Sequence, residues 1–306
     1  MSGPILHAYD ASPFSQRALR MLAIKNLDWR WVETPMMPPK DDLLTLTGGY
    51  RGTPVLQFGS DVYIDSQLIA LELERRYPLP SLFPARNTGM DIAMVKWSDA
   101  FFRCGLKIVL ALQADSWPEA FRKDRESLFP DIDFSQAKSG LDDARAQYRA
   151  HAFLLEQQLA DGRAYLGGEA PGLSDALAHP VVWLMRVALP EVAAQMFSEL
   201  PRLTQWERRV AEHGKDRRTR IEAGAALAEA LQSEPEPREE IDPNDAQGLT
   251  RGMRVRIAAD DTRRGEVEGA VAVALPNRIS IVRKHLSVGS VVVHFPRLGY
   301  RVTRSP

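Results

Sequence analysis

The first 80 residues of this 306-residue chain alternate strand and helix patterns, and their order limits the choice of fold more than any other pattern in the sequence. Gly59-Ser60-Asp61 separates two short apolar runs, as the turn of a hairpin does. With this hairpin, the order of predicted elements is βαβα followed by ββα, which is typical of an α/β domain. Predicted strands cover residues 5–9, 29–33, 54–58 and 62–64, and predicted helices cover 13–24, 41–46 and 65–77.

The pattern changes after residue 88, where helical spacing continues without a convincing strand. Predicted helices cover residues 90–114, 136–160, 173–187, 203–213 and 217–232. We therefore predict an all-α second domain over residues 88–232. The third of these helices opens with Gly172-Leu173-Ser174-Asp175, which keeps an acidic residue at the fourth position of a capping box.

The end of the chain has a third character. Residues 233–247 are rich in proline and acidic residues, a composition that favours a linker. Short alternating runs punctuated by glycines then predict a small all-β module, a sheet or a barrel-like unit, over residues 248–306.

Charge is distributed unevenly along the chain. The whole chain carries 39 Lys+Arg and 40 Asp+Glu, a formal net charge of −1. Residues 250–306 hold 11 basic and 4 acidic residues (net +7), which leaves 28 basic and 36 acidic elsewhere (net −8). Since Phe295 and Tyr300 are the only aromatic residues there to stack on bases, we do not expect nucleic-acid binding. We expect the basic module to dock onto its own acidic chain or onto a second copy.

Other site classes are disfavoured by composition. Cys104 is the single cysteine, so neither an intramolecular disulfide nor a cysteine metal cluster can form within the chain, and the six histidines show no metal-ligand spacing. We predict no metal site. The first residues lack a secretory signal pattern and no apolar run of about 18 residues occurs, so we expect a cytoplasmic protein without a membrane span.

Three motifs in order carry a family resemblance. They are Ser12-Pro13-Phe14-Ser15, the segment Gly48-Gly49-Tyr50-Arg51-Gly52-Thr53-Pro54-Val55-Leu56, and Asp65-Ser66. These motifs, together with the βαβα-ββα order of predicted elements, resemble the glutathione transferase superfamily, and in particular its bacterial serine-type members. The resemblance implies a thioredoxin-like, glutathione-binding domain at residues 1–80 and an all-α domain after it. It covers residues 1–232, so the C-terminal β module is an addition to the family pattern.

The resemblance makes Ser12 the candidate catalytic residue. Ser12 follows the first strand at a predicted helix N-terminus, where free N–H groups favour an anion. In the serine-type members the hydroxyl hydrogen-bonds the sulfur of glutathione and favours the nucleophilic thiolate. The alternative is that Ser12 only caps the helix. Ser15 and Tyr9 are weaker alternatives for the same role.

The resemblance also implies the residues that bind glutathione. Pro54 is expected to be cis and to present the backbone of Val55 as an extended edge for the peptide part of the ligand, with the Val55 side chain in the core. Asp65 suits the γ-glutamyl ammonium, and Ser66 suits the carboxylate. Lys40 is the candidate for the glycyl end, with Arg51 as an alternative. Two residues of the same motifs, Phe14 and Thr53, complete the predicted set.

Together these features predict a glutathione transferase that adds the glutathione thiolate to a small electrophile. A homodimer is implied by the resemblance. The second substrate is expected near aromatic residues of the long helix after Met90, although aromatic residues at helical spacing usually form core. These are Trp97, Phe101 and Phe102, with Cys104 and Trp117. The alternative is a non-catalytic, transferase-like scaffold that acts through its C-terminal β module.

Overall fold

The computed structural model describes residues 3–236 and 240–305, and the chain forms two compact units. The first unit combines Met1–Ser15, Asp28–Glu72 and Arg217–Pro306. The second combines Gln16–Leu27 and Leu73–Asp216. The C-terminal residues therefore belong to the same unit as the predicted first domain. Residues 217–232, which the sequence predicts to be part of the all-α domain, also belong to this first unit.

The described residues of the first unit form one sheet of eleven strands. Helices α2 (Asp41–Thr47) and α10 (Ala223–Gln232) lie wholly within this unit, whereas α1 (Pro13–Ile24) and α3 (Ser66–Arg76) begin in it and continue in the other. Its strands are β1 (Ile5–Ala8), β2 (Trp29–Glu33), β3 (Val55–Phe58), β4 (Asp61–Ile64), β5 (Arg218–Arg220), β6 (Glu240–Ile241), β7 (Arg254–Ala259), β8 (Glu266–Leu275), β9 (Arg278–His285), β10 (Gly289–Pro296) and β11 (Tyr300–Arg304).

A thioredoxin-like group of four strands, β4-β3-β1-β2, forms one part of the sheet, as predicted. The full order is β11-β7-β8-β9-β10-β4-β3-β1-β2-β5, with β6 beside β8. β10 pairs in parallel with β4, with Val293 opposite Val62, and β5 pairs in parallel with β2. The predicted C-terminal β-rich region is confirmed, and its strands continue the first sheet.

The two parts of this sheet share one hydrophobic core. Val62 and Ile64 of β4 lie in the same buried cluster as Ile257 of β7 and Val293 of β10, all without solvent exposure. Burial of apolar surface is the main driving force for such association. The expectation that the module docks onto its own chain is therefore confirmed.

Charged and polar side chains also join the two parts. The ring of His294 is held between Ser280, at 2.8 Å from Nδ1, and Asp61, at 2.8 Å from Nε2. The guanidinium of Arg278 lies 3.6 Å from the carboxylate of Glu72, which has no solvent exposure. Basic residues of the C-terminal segment thus meet acidic residues of the first domain, as the opposite net charges suggested.

The predicted linker contains a short element of the sheet. β6 pairs in parallel with β8, with Glu240 opposite Val273. Residues 237–239, which include Glu239 of the acidic run, lie outside the described residues. The described part of the segment is therefore tied to the sheet at β6.

The second unit is helical, as predicted. Asp175 accepts hydrogen bonds from the backbone N–H groups of Gly172 and Leu166, each at 2.9 Å, and from the indole of Trp206 at 2.7 Å. This confirms the acidic half of the capping box. The helices wholly within this unit are α4 (Thr88–Gln113), α5 (Glu119–Leu128), α6 (Leu141–Gln158), α7 (Leu173–Ala188), α8 (Pro190–Phe197) and α9 (Pro201–Glu212), with 3-10 turns at Ala114–Ser116 and Phe134–Gln136.

Candidate functional site at the starts of helices α1 and α3

Ser12 caps helix α1. Its Oγ accepts a hydrogen bond from the N–H of Ser15 at 3.2 Å, and its own N–H donates to the carbonyl of Tyr9 at 3.2 Å. A serine hydroxyl has one proton and two lone pairs, so the capping bond leaves the proton for another acceptor. Ser12 can therefore cap the helix and donate to an anion at the same time, and the two interpretations of this residue are compatible.

The two weaker alternatives occupy different surroundings. Ser15 has no solvent exposure, and its Oγ has no hydrogen-bond partner among the described residues. Tyr9 is half-buried, and the ammonium of Lys40 lies 5.5 Å from its ring centroid. Neither hydroxyl combines a capping bond with the helix N-terminus as Ser12 does.

The peptide bond between Thr53 and Pro54 is cis, which confirms the expectation for Pro54. Val55, the next residue, is the first residue of β3 and has no solvent exposure. The expectation of an open edge at Val55 is wrong: β3 lies between β1 and β4, with Val55 opposite both His7 and Ile64. The backbone of Val55 is therefore paired within the sheet, whereas Thr53, before the cis bond, is half-buried.

Asp65 and Ser66 form the start of α3. Asp65 has a positive φ of 75°, a left-handed conformation that non-glycine residues seldom adopt. Its Oδ1 accepts the N–H of Gln67 at 3.0 Å, and Ser66 is the first helical residue, only 4% exposed. A carboxylate and a hydroxyl thus meet at a helix N-terminus, as the sequence indicated.

Arg264 connects the two helix starts. Its guanidinium lies 3.8 Å from Oδ2 of Asp65 and 5.6 Å from the ring centroid of Phe14, which is two residues after Ser12. The hydroxyl of Tyr300 also donates to Oδ2 of Asp65, at 3.2 Å. Sequence reasoning missed both residues, because they lie in the added C-terminal segment, outside the motifs that resemble the family.

Lys40 lies beside a cavity of about 180 Å³. The cavity is also lined by His7, whose Nε2 lies 2.7 Å from Oε1 of Gln57. Burial lowers the pKa of His7 from 6.5 to about 4, in spite of the opposing effect of that hydrogen bond. The imidazole is neutral near pH 7. No described contact places Lys40 beside Asp65 or Ser66.

The aromatic residues of the helical unit divide between core and cavity wall. Phe101 has no exposure and stacks on His151, with ring centroids 5.3 Å apart. Trp97 lines a cavity of about 380 Å³ within this unit, beside Asp91 and Met94. Burial raises the pKa of the Cys104 thiol, which is therefore protonated near neutral pH. Phe102 is buried and Trp117 is half-buried.

Two other kinds of feature, a metal-binding cluster and a membrane-spanning helix, are absent from residues 3–236 and 240–305. No group of three or more His, Cys, Asp or Glu side chains in those ranges is arranged to hold a metal ion. None of the helices described there has the length and apolar character needed to cross a membrane.

Comparison with known proteins assigns the family. The models of the glutathione S-transferase N-terminal and C-terminal domains match residues 6–81 and 138–209. A GST-like protein from Pseudomonas syringae is 31% identical with a TM-score of 0.81, and the match covers 100% of both chains. A search of curated proteins found no match.

Two further solved structures share the fold at lower identity. A glutathione S-transferase from Rhodospirillum rubrum F11 is 22% identical with a TM-score of 0.52, and the match covers 68% of this chain and 88% of that one. A beta-etherase from Sphingobium is 19% identical with a TM-score of 0.55, covering 69% of this chain and 96% of that one. From the domain matches and the full-length relative, we conclude that the chain belongs to the glutathione S-transferase superfamily.

Proposed function

We propose that the protein is a glutathione transferase, with Ser12 as the residue that stabilises the glutathione thiolate. The observation that carries the proposal is the capping bond at Ser12. Because Oγ already accepts the N–H of Ser15, the hydroxyl proton is free to donate to a sulfur anion at the positive end of α1. Stabilising the anion lowers the pKa of the thiol and raises the thiolate fraction near neutral pH.

The reaction follows from this role. The bound thiol loses its proton to solvent, and its sulfur uses an electron pair to form a bond to an electrophilic carbon. The displaced electron pair leaves with a leaving group, or passes to a neighbouring atom that then takes up a proton. Ser12 acts throughout as a hydrogen-bond donor to sulfur and is not itself modified.

The rest of the proposal places glutathione on the first unit. The γ-glutamyl group binds at Asp65 and Ser66, and the cysteinyl backbone contacts the turn at Thr53 and Pro54. Phe14 borders the γ-glutamyl end, because its ring lies beside the guanidinium of Arg264, which approaches Asp65. Lys40 binds the glycyl carboxylate. These assignments carry the family motifs onto matching residues of this chain.

The test combines binding and chemistry. Isothermal titration measures glutathione binding, and a chromogenic aryl halide measures transfer as a function of pH. For Ser12→Ala we expect transfer at pH 7 to fall roughly 10- to 100-fold, since a hydrogen bond to a charged group contributes about 1.5–3 kcal/mol. The pH profile should also move to higher pH. Ser15→Ala should leave both measurements unchanged.

The outcomes separate two levels of the proposal. If the protein does not bind glutathione at millimolar concentration, the transferase function is wrong. If Ser12→Ala transfers glutathione as the native protein does, the function stands and the role of Ser12 is wrong. If Ser15→Ala reproduces the loss instead, the catalytic hydroxyl is that of Ser15.

The proposal includes a cytoplasmic homodimer, which is typical of the superfamily. Sedimentation velocity at micromolar concentration tests the assembly. A single species with the mass of one chain would contradict the dimer without bearing on the chemistry. Fractionation of cells that produce the protein tests the location.

A further inference from the structure

The loop between β7 and β8, in the C-terminal part of the sheet, brings the charged side chain of Arg264 to the start of α3. Arg264 lies in this loop, with its guanidinium 3.8 Å from Oδ2 of Asp65 and 3.9 Å from Oδ2 of Asp261. Its side chain is only 15% exposed. Both distances exceed hydrogen-bond length, and the guanidinium also donates a hydrogen bond to the hydroxyl of Tyr50. Because a guanidinium has five N–H donors, this bond still leaves donors for another acceptor.

The loop is fixed against the segment that leads to Pro54. The N–H of Arg51 donates to the carbonyl of Arg264 at 2.7 Å. Gly265, with φ of 93°, lies so close to Gly49 that a Cβ atom would stand 2.0 Å from the carbonyl oxygen of Gly49. These backbone contacts fix the loop that carries Arg264 against this segment, which favours a preorganised binding residue.

Tyr300, on β11, hydrogen-bonds the carboxylate of Asp65. Its hydroxyl donates to Oδ2 of Asp65 at 3.2 Å and lies 3.3 Å from the hydroxyl of Tyr50. Burial, and then the neighbouring Tyr50 and Asp65, raise the pKa of Tyr300 well above its ordinary value, so the hydroxyl keeps its proton. With one bond from Gln67 to Oδ1 and one from Tyr300 to Oδ2, the carboxylate retains acceptor sites for a ligand.

The result is a pair of opposite charges beside a helix N-terminus. An α-amino acid carries an ammonium and a carboxylate on one carbon. It is complementary to this pair when its carboxylate faces the guanidinium and its ammonium faces the protein carboxylate. We propose that Arg264 and Asp65 together bind the α-amino-acid end of the γ-glutamyl group, with the ligand carboxylate on Arg264 and Ser66 and the ammonium on Asp65. This inference rests on the proposed function, and it makes the C-terminal sheet part of the glutathione site.

The experiment compares three ligands on four forms of the full chain. The ligands are glutathione, its analogue without the α-amino group, and its analogue without the α-carboxylate, each measured by isothermal titration. The forms are the native protein, Arg264→Gln, Arg264→Lys and Arg263→Gln. Arg263 is the matched control, because it is exposed and lies in the same loop one residue earlier.

The expected pattern is selective. Arg264→Gln should weaken glutathione binding roughly 10- to 100-fold, the range expected for a charge-assisted hydrogen bond. It should weaken the analogue without the amino group to a similar extent and leave the analogue without the carboxylate almost unchanged. Arg263→Gln should bind all three ligands as the native protein does. Arg264→Lys, which keeps the charge but loses the planar fork, should recover part of the affinity.

Failure of this inference differs from failure of the proposed function. If the native protein does not bind glutathione, the function itself is wrong. If it binds and Arg264→Gln behaves like Arg263→Gln, Arg264 is not a binding residue. Equal weakening of all three ligands would also overturn the inference, since it would indicate a general structural effect. Should Arg264→Gln fail to fold, as judged by circular dichroism, Arg264→Lys carries the same comparison.

Discussion

Replacing His294 with Phe should strongly destabilise the junction between β10 and β4. The ring of His294 is 1% exposed and bridges the hydroxyl of Ser280 and the carboxylate of Asp61, each at 2.8 Å. Phe can keep the stacking on Tyr63, whose ring centroid is 4.4 Å away at an interplanar angle of 7°. The change therefore removes two hydrogen bonds while preserving the shape and most of the packing.

The magnitude follows from the partners left behind. An unsatisfied buried polar group costs about 1–3 kcal/mol, and more when it is charged. Asp61 keeps one bond, because its Oδ2 accepts the N–H of Glu236 at 2.8 Å. We expect the free energy of unfolding to fall by about 3–5 kcal/mol, a large part of the usual 5–15 kcal/mol of a folded protein.

Urea unfolding at pH 7 measures this loss, with tryptophan fluorescence and circular dichroism as independent probes. His285→Phe is the matched control, since His285 is exposed on β9 and its replacement should change stability by less than about 0.5 kcal/mol. Removing all three polar groups together, with Asp61→Leu, Ser280→Ala and His294→Phe, should recover at least half of the loss. A loss below about 1 kcal/mol for His294→Phe alone would refute the reasoning.

Three further predictions test other parts of the structure. Burial lowers the pKa of His7 from 6.5 to about 4 and that of His179 to about 3, so below pH 6.5 the unfolded chain binds protons that the folded chain does not. The free energy of unfolding should therefore fall as the pH drops from 6.5 towards 4, by up to about 1.4 kcal/mol per pH unit for each histidine; His179→Asn should reduce this slope, and equal stability at pH 7 and 5 would contradict it. Ser12→Cys, treated with oxidised glutathione, should form a mixed disulfide with release of one glutathione, seen as an added glutathionyl group in the intact mass; an unmodified cysteine in a protein that binds glutathione would show that the sulfur lies elsewhere. Gly265→Ala should destabilise more than Gly252→Ala in urea unfolding, because both positions have positive φ but only a Cβ at 265 meets a neighbouring backbone; equal losses would mean that the close contact is absent.

Local motifs account for the part of the site that the sequence predicts. Ser12, Pro54 and Asp65 each lie at the start of an element, and a few neighbouring residues decide their conformation. Arg264 and Tyr300 carry no such signal. The bond from Tyr300 to Asp65 joins residues 235 positions apart, and only the three-dimensional fold brings them together.

The same distinction applies to the fold. Alternation of apolar residues predicts strands at residues 253–257 and 279–281, and a β-branched run predicts the strand at residues 291–295. Neither pattern predicts which strand the segment will join, since pairing partners are decided by the whole fold. Residues 217–232 read as one helix, yet Arg218–Arg220 forms β5 beside β2. Because three consecutive polar residues show no periodicity that favours strand over helix, their conformation depends on pairing with the edge of β2.

The pairing of β10 with β4 also has a consequence in time. Asp61 and His294 are 233 positions apart, so β4 is synthesised long before its neighbour exists. At about 5–20 residues per second, the ribosome needs roughly 10–50 s to make the intervening chain. During that interval the backbone edge of β4 that later pairs with β10 is open, and Val62 and Ile64 lack the part of their hydrophobic cluster that the C-terminal strands supply. An open strand edge is a template for pairing with other chains, so we expect β4 to be the site at which the nascent chain is most prone to aggregate until its final strands emerge.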